Sequence, residues 1–187
     1  MIVEAALWEF HDHGVARASL DQIARRAKVS RGAVHWHFKS KLALLNAIFD
    51  DAAMPLDPFA MASPAEPVAS IEVLADALAM RWHAATSEGR ERRLYTLLFR
   101  RCEETSETAV FWKRVREANR RAEADIEAWL GRRPASGRMP LERDIRVRAQ
   151  LIHATLCGLL RKVLHDPACP HPTAAEVAGI VQAISRH

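Results

Sequence analysis

Two amphipathic runs, LDQIARRA at 20–27 and RGAVHWHF at 31–38, stand so close together that little besides their mutual angle is left open. Ser19 precedes the first and Ser30 the second, and a serine hydroxyl there satisfies a free N–H of the helix's opening turn. About two residues, Lys28 and Val29, remain as the link, which predicts two short helices crossing steeply. A preceding helix ending near Gly14, and a third cap, Ser40, ahead of KLALLNAIFDDAA, place a brace on either side. The predicted arrangement is a braced helix-turn-helix.

Beyond residue 50 the apolar residues again recur at three and four rather than two, so the whole chain is predicted all-α. Pro55, Pro58, Pro64 and Pro67 mark a linker, GRRPASGRMP (131–140) a loop and DPACPHP (166–172) another. The expected organisation is an N-terminal three-helix helix-turn-helix domain over 1–50 and a C-terminal helical bundle over 51–187. With 49% hydrophobic residues in a length of 187, there is material for such a core. No run approaches the roughly 18 apolar residues of a membrane span, and Glu4 and Glu9 sit where a signal peptide avoids acids. A soluble, cytoplasmic protein without membrane contact is expected. Cys102, Cys157 and Cys169 are far apart and lack C-x-x-C spacing, so they read as reduced thiols rather than a disulfide frame or zinc site. His11 and His13, like His35 and His37, are two apart, about 200° around a helix, which is wrong for chelating one ion. No metal or cofactor is expected.

A helix opening at Arg31 places Val34 and Phe38 on one face, with Val29 and, from the preceding helix, Ile23, as its core. Its outer side then carries Arg31, Gly32, Ala33, His35 and Trp36, an odd surface for a merely solvated helix. Gly32 costs about 1 kcal/mol of helix stability against alanine. Its use is close approach to a base edge or phosphate, where Ala33 can touch a thymine methyl and Arg31 can pair with guanine. His35, Trp36 and His37 offer ring N–H groups to phosphates, although a bond within the core accounts for His37 equally well. Lys41 adds a cation beside the helix that Ser40 opens. The net charge of +4 is compatible with a polyanionic partner and does not establish one.

The stretch SLDQIARRAKVSRGAVHWHFKSKLALL (19–45) resembles the DNA-binding signature of TetR-type transcriptional regulators. RGAVHWHF together with ERRLYTLLFRRCE (91–103) is similar to the AcrR-like branch, which represses multidrug efflux pumps. The resemblance spans nearly all of residues 1–50 and is looser beyond residue 90. It implies that Arg31, Gly32 and Ala33 meet bases and that Ser19, His35, Trp36, His37 and Lys41 meet phosphates. The chain departs from the pattern in having Lys28 where glycine is usual and His35 where tyrosine is usual. Members usually carry a basic extension before the first helix, whereas here Met1 stands almost inside it. Either a weaker backbone contribution to affinity or a start further upstream is expected from that.

Leu74, Leu78 and Trp82 are spaced by four, as are Tyr95 and Phe99, and Phe111, Val115, Ala118, Ala122, Ile126 and Trp129 follow at three or four. Such stripes are core, or they line a pocket between helices. The resemblance implies an inducer pocket here, with Leu78, Trp82, Tyr95, Phe99, Cys102 and Trp112 as candidates for holding a small apolar or aromatic effector. Further on, Ile145, Ile152, Leu156, Leu159 and Val163 form one stripe, widened by Leu151 and Leu160, and Gly158 suggests close helix contact. Thr173 and Glu176 form a capping box, and Val177, Ile180, Val181 and Ile184 give the last helix an apolar seam. The two stripes pack on their own bundle, or they make a two-fold homodimer in which Leu156, Leu159, Val163, Val177, Ile180, Val181 and Ile184 form a four-helix interface.

The expected function is a ligand-responsive repressor that binds a palindromic DNA operator as a dimer, controls a multidrug efflux pump and is released by its effector. An all-α carrier or enzyme without DNA binding is the alternative, against which the chain offers no nucleophile elbow, phosphate loop or H-E-x-x-H. An activator, or a regulator answering a metabolite such as an acyl chain, is a third.

Overall fold

The computed structural model describes residues 1–50, 70–132, 142–166 and 168–186, and the regular structure among them is helical. The order is α1 (Ile2–His13), α2 (Leu20–Arg26), α3 (Arg31–His37), α4 (Lys41–Asp50), α5 (Ile71–Thr86), α6 (Arg90–Thr96) continued by a π turn (Leu97–Arg101), α7 (Ala109–Leu130), α8 (Glu142–His165) and α9 (Ala174–Arg186). The proline linker, most of the 131–140 loop and the expected helix start at Leu141 lie outside the described residues.

The described residues form two compact units, one of α1–α4 with residues 88–116, the other of α5, residues 117–132, α8 and α9. In the first, α1 stops at Gly14, whose φ of 82° lies in the left-handed region that glycine enters without penalty. The chain turns there, and the next amide, Val15 N–H, donates to Arg101 O at 3.0 Å. Leu7, Phe10, Leu44, Leu45, Ile48 and Phe49 are fully or almost fully buried, as are Leu94, Tyr95, Leu97 and Phe111. The Phe49 and Phe111 rings lie 5.1 Å apart, within the range of a favourable aromatic pair. Arg114 closes the end of α4, with Nη2 donating to Phe49 O at 2.8 Å and Nη1 to Asp50 Oδ1 at 2.7 Å. A cation at a helix C-terminus is favoured by the helix dipole. Residues 88–116 thus share a core with the N-terminal helices, across the boundary expected after residue 50.

In the second unit α5 packs chiefly on α9 and also on α8. Two indole N–H groups reach main-chain carbonyls, Trp82 to Pro172 O at 2.7 Å and Trp129 to Ser70 O at 3.0 Å. Buried donors need such partners. Thr173 and Glu176 make the expected capping box, Thr173 N–H to Glu176 Oε2 at 2.8 Å and Glu176 N–H to Thr173 Oγ1 at 3.3 Å.

Candidate nucleic-acid interface

The pair α2 and α3 is built by its caps. Gln22 N–H donates to Ser19 Oγ at 3.2 Å while Ser19 N–H donates to Gln22 Oε1 at 2.9 Å, a reciprocal box that satisfies donors at the start of α2. Ser30 Oγ accepts from Ala33 N–H at 3.1 Å and starts α3. Between them Lys28 adopts φ 55°, a left-handed conformation that strains a residue bearing a Cβ. The turn is held by Val29 N–H donating to Ala24 O at 3.1 Å. Ile23 and Val34 have no exposure, and Val29 and Phe38 are half-buried, so the predicted core face is the inward one.

Arg31, Gly32, Trp36 and His37 are exposed, and Ala33 and His35 half-buried. Trp36 is 75% exposed, and its ring meets His37 edge-on at 4.8 Å. His37 is therefore on the surface, and the alternative of a bond within the core does not hold. A methyl added at Gly32 would meet nothing closer than Ser30 Oγ at 3.8 Å. The protein's own packing has no need of glycine there, which leaves room for something outside the chain. Arg31 Nε lies 3.0 Å from Asp21 Oδ1 on α2.

Two of the predicted phosphate contacts have partners at home. Ser19 Oγ is engaged in its cap, and Lys41 Nζ donates to Val15 O and to Ala16 O, each at 2.8 Å. An ammonium has three donors, so Lys41 keeps one while it ties the start of α4 to the loop after α1. Sequence reasoning missed this second role, and also the clamp in which Arg26 meets Glu9 at 3.0 Å and Asp12 at 2.8 Å between α2 and α1.

The six effector candidates divide between the units. Tyr95, Phe99, Cys102 and Trp112 belong to the first and Leu78 and Trp82 to the second. Leu78, Trp82, Tyr95 and Cys102 are buried, whereas Phe99 and Trp112 are half-buried. The Trp82 N–H is already used by Pro172 O, while the Trp112 indole is directed at the Cys102 thiol. Burial pushes the Cys102 thiol up to about 12, the Trp112 indole pulling it down in part and Glu103 adding to the rise. Burial and Glu123 push Cys157 up to about 12 as well. Both are neutral thiols at physiological pH, and a neutral thiol is a poor nucleophile.

Of the seven dimerisation candidates, Leu156, Val163, Val177 and Val181 are buried within their own chain, and Leu159, Ile180 and Ile184 are half-buried. The uncovered apolar surface of the two helices includes Val147 and Leu151, 46% and 52% exposed. These two line a groove with Asp144, Arg148, Ala183 and Ile184. Gly158 and Gly179 are exposed, and a methyl on either would meet nothing within 4 Å. Among the described residues no group of three or more His, Cys, Asp or Glu side chains could hold a metal ion, and no described helix is long and apolar enough to cross a membrane.

A braced, doubly capped helix pair whose second helix turns an arginine, a glycine and an unburied tryptophan outward defines a helix-turn-helix regulator. Residues 2–48 match the model of bacterial regulatory proteins of the tetR family. The chain is 31% identical over 167 residues to the HTH-type transcriptional regulator TtgR of Pseudomonas putida, covering 89% of this chain and 80% of that one. It belongs to the TetR family. Among solved structures it is similar to NalD, the secondary repressor of the MexAB-OprM multidrug efflux pump in Pseudomonas aeruginosa, with 28% identity, 97% and 92% of the two chains covered and a TM-score of 0.78. It is likewise similar to a SmeT–triclosan complex, with 26% identity, 97% and 88% covered and a TM-score of 0.79, SmeT being the repressor of the Stenotrophomonas maltophilia pump SmeDEF. The family is one of transcriptional regulators, so the enzyme alternative is set aside.

Proposed function

We propose that this protein is a dimeric repressor that occupies a palindromic operator, controls a multidrug efflux pump and leaves DNA when a small apolar or aromatic effector binds. The observation that carries the reading is the outward face of α3, with Arg31 and Trp36 exposed and Gly32 free of any demand from the protein's own packing. In this reading Arg31, Gly32 and Ala33 meet base edges, while Ser19, His35, Trp36, His37 and the remaining Lys41 donor meet phosphates. Efflux control is drawn from NalD, described as a repressor of a multidrug efflux pump, and an aromatic effector from the presence of triclosan in the SmeT complex. The candidate effector contacts are Tyr95, Phe99, Cys102 and Trp112 within the first unit and, separately, Leu78 and Trp82 within the second.

Two copies are needed because one seven-residue recognition helix buries little, and paired half-sites supply the affinity. The exposed Val147 and Leu151 and the half-buried Leu159, Ile180 and Ile184 are the apolar side chains of α8 and α9 left for a second copy. By linkage, an effector that weakens DNA binding is itself bound more weakly by the DNA complex, and the usual coupling is about 1–3 kcal/mol, roughly 5- to 150-fold.

The test is fluorescence anisotropy at near-physiological salt, with duplexes from upstream of the protein's own gene and of the nearest transporter gene against a shuffled duplex, each with and without triclosan. Tight binding to a native duplex alone, weakened by triclosan, is the expected result. Equal, strongly salt-dependent binding to all duplexes would remove operator recognition from the reading. Specific binding indifferent to triclosan and to a panel of aromatic compounds would remove the effector.

A further inference from the structure

We propose that Asp21 is a positioning residue that sharpens sequence preference by holding Arg31 in its reading posture, an inference that rests on α3 entering the major groove. Arg31 Nε and Asp21 Oδ1 are 3.0 Å apart, with the side chains 69% and 51% exposed. An ion pair that open to water does little for the fold. Its position gives it a different use. Arg31 is the first residue of α3, where a cation opposes the positive helix end, and α3 has no acid in its own first turn. The compensating carboxylate comes from the first turn of α2.

A guanidinium approached at Nε keeps its two terminal nitrogens free, and these form the fork that pairs with guanine O6 and N7. With the posture set before contact, less side-chain freedom is lost on binding. The same carboxylate, brought against a phosphate-lined duplex, repels every sequence alike. Asp21 therefore trades overall affinity for discrimination at one base pair.

The experiment selects bound duplexes from a randomised pool with the full-length protein, then measures affinity for the preferred duplex, its single base-pair variants and a shuffled duplex. Asp21→Asn is expected to lose roughly 10-fold discrimination at a single base pair, while binding to the shuffled duplex is unchanged or tighter. Arg31→Ala is expected to lose preference at that same pair, and adding Asp21→Asn to it to cost no further discrimination. Tightening of preferred and shuffled duplexes by one common factor, with discrimination intact, would overturn the proposal and leave Asp21 as a repelling charge. Undiminished discrimination in Arg31→Ala, or a wild-type selection without any preferred sequence, would instead overturn the assignment of α3 on which the proposal stands.

Discussion

His153 on α8 and Glu123 on α7 face each other at 3.3 Å, Nδ1 to Oε1, with the Cys157 sulfur 3.6 Å from the other ring nitrogen. Burial holds His153 below its ordinary pKa, and Glu123 only partly pulls it back. An unfolded histidine takes up its proton near about 6.5, so on acidification the unfolded state binds more protons than the folded one. Stability is full above about pH 6.5 and is lost as the pH falls from there through the folded pKa. Urea midpoints should drop between about pH 7.5 and 5.5, and drop less in His153→Gln. An equal drop in both proteins would place the acid sensitivity elsewhere.

Glu9 is nearly buried, and the guanidinium of Arg26 stands 3.0 Å from its carboxylate. Burial alone would raise the neighbouring Asp12 carboxyl, but His11 and Arg26 outweigh it and hold that group low. Removing the shared cation in Arg26→Ala leaves the buried Glu9 carboxyl with only the His13 ring beside it, at 3.9 Å, and a loss of about 2 kcal/mol is expected. Glu9→Gln added to that variant should restore part of it in chemical denaturation. No recovery would mean that the arginine stem, rather than its charge, is what matters.

Lys28 shows that the turn is made without the glycine usual there, at φ 55°. A β-branched side chain tolerates that region poorly, so Lys28→Val is expected to cost about 1–2 kcal/mol. Lys28→Gly removes the strain while freeing the unfolded chain, and the net should lie between no change and a gain of about 1 kcal/mol. A variant pair with equal melting temperatures would refute the strain.

The two bonds from Lys41 to Val15 O and Ala16 O give its substitution two effects. Lys41→Ala should weaken all duplexes alike and flatten the salt slope by about one unit. It should also lower stability by about 1–2 kcal/mol, because the bonds are charge-assisted. Weaker DNA binding at unchanged stability would leave only the phosphate role.

Leu151 projects into water at 52% exposure from the face of α8 proposed to meet a second copy. Leu151→Glu should convert the proposed dimer to monomers in light scattering, with the helical signal retained because no core side chain is touched. A mass equal to wild type would exclude this face as the seam.

The helix-turn-helix was readable because each of its signals is local. Ser19, Ser30 and Ser40 cap the helices they precede, at Gln22, Ala33 and Ala43, and Ile23 and Val34 point inward as their spacing requires. What escaped is long-range. Asp21 and Arg31 lie on different helices, and no periodicity relates them until the turn is folded. The Lys41 bonds to main-chain carbonyls have no side-chain signature at all. Leu151 was legible as apolar but not as outward, because the stripe on α8 is wide enough to serve both the core and a free face. Glu123 and His153 belong to separate helices, and neither is conspicuous among the acids and histidines of the chain.

The bond from Val15 N–H to Arg101 O, and the shared burial of Phe49 and Phe111, have a practical corollary for modularity. The part that reads DNA is a discontinuous cassette. A chimera spliced at residue 50 would carry α1–α4 away from the segment that covers Leu7, Phe10 and Phe49, exposing a greasy underside and inviting aggregation. A graft that transplants residues 1–50 together with 88–116 keeps that interior whole. The helix-turn-helix in this protein is portable only with the stretch of chain that also holds Tyr95, Phe99, Cys102 and Trp112.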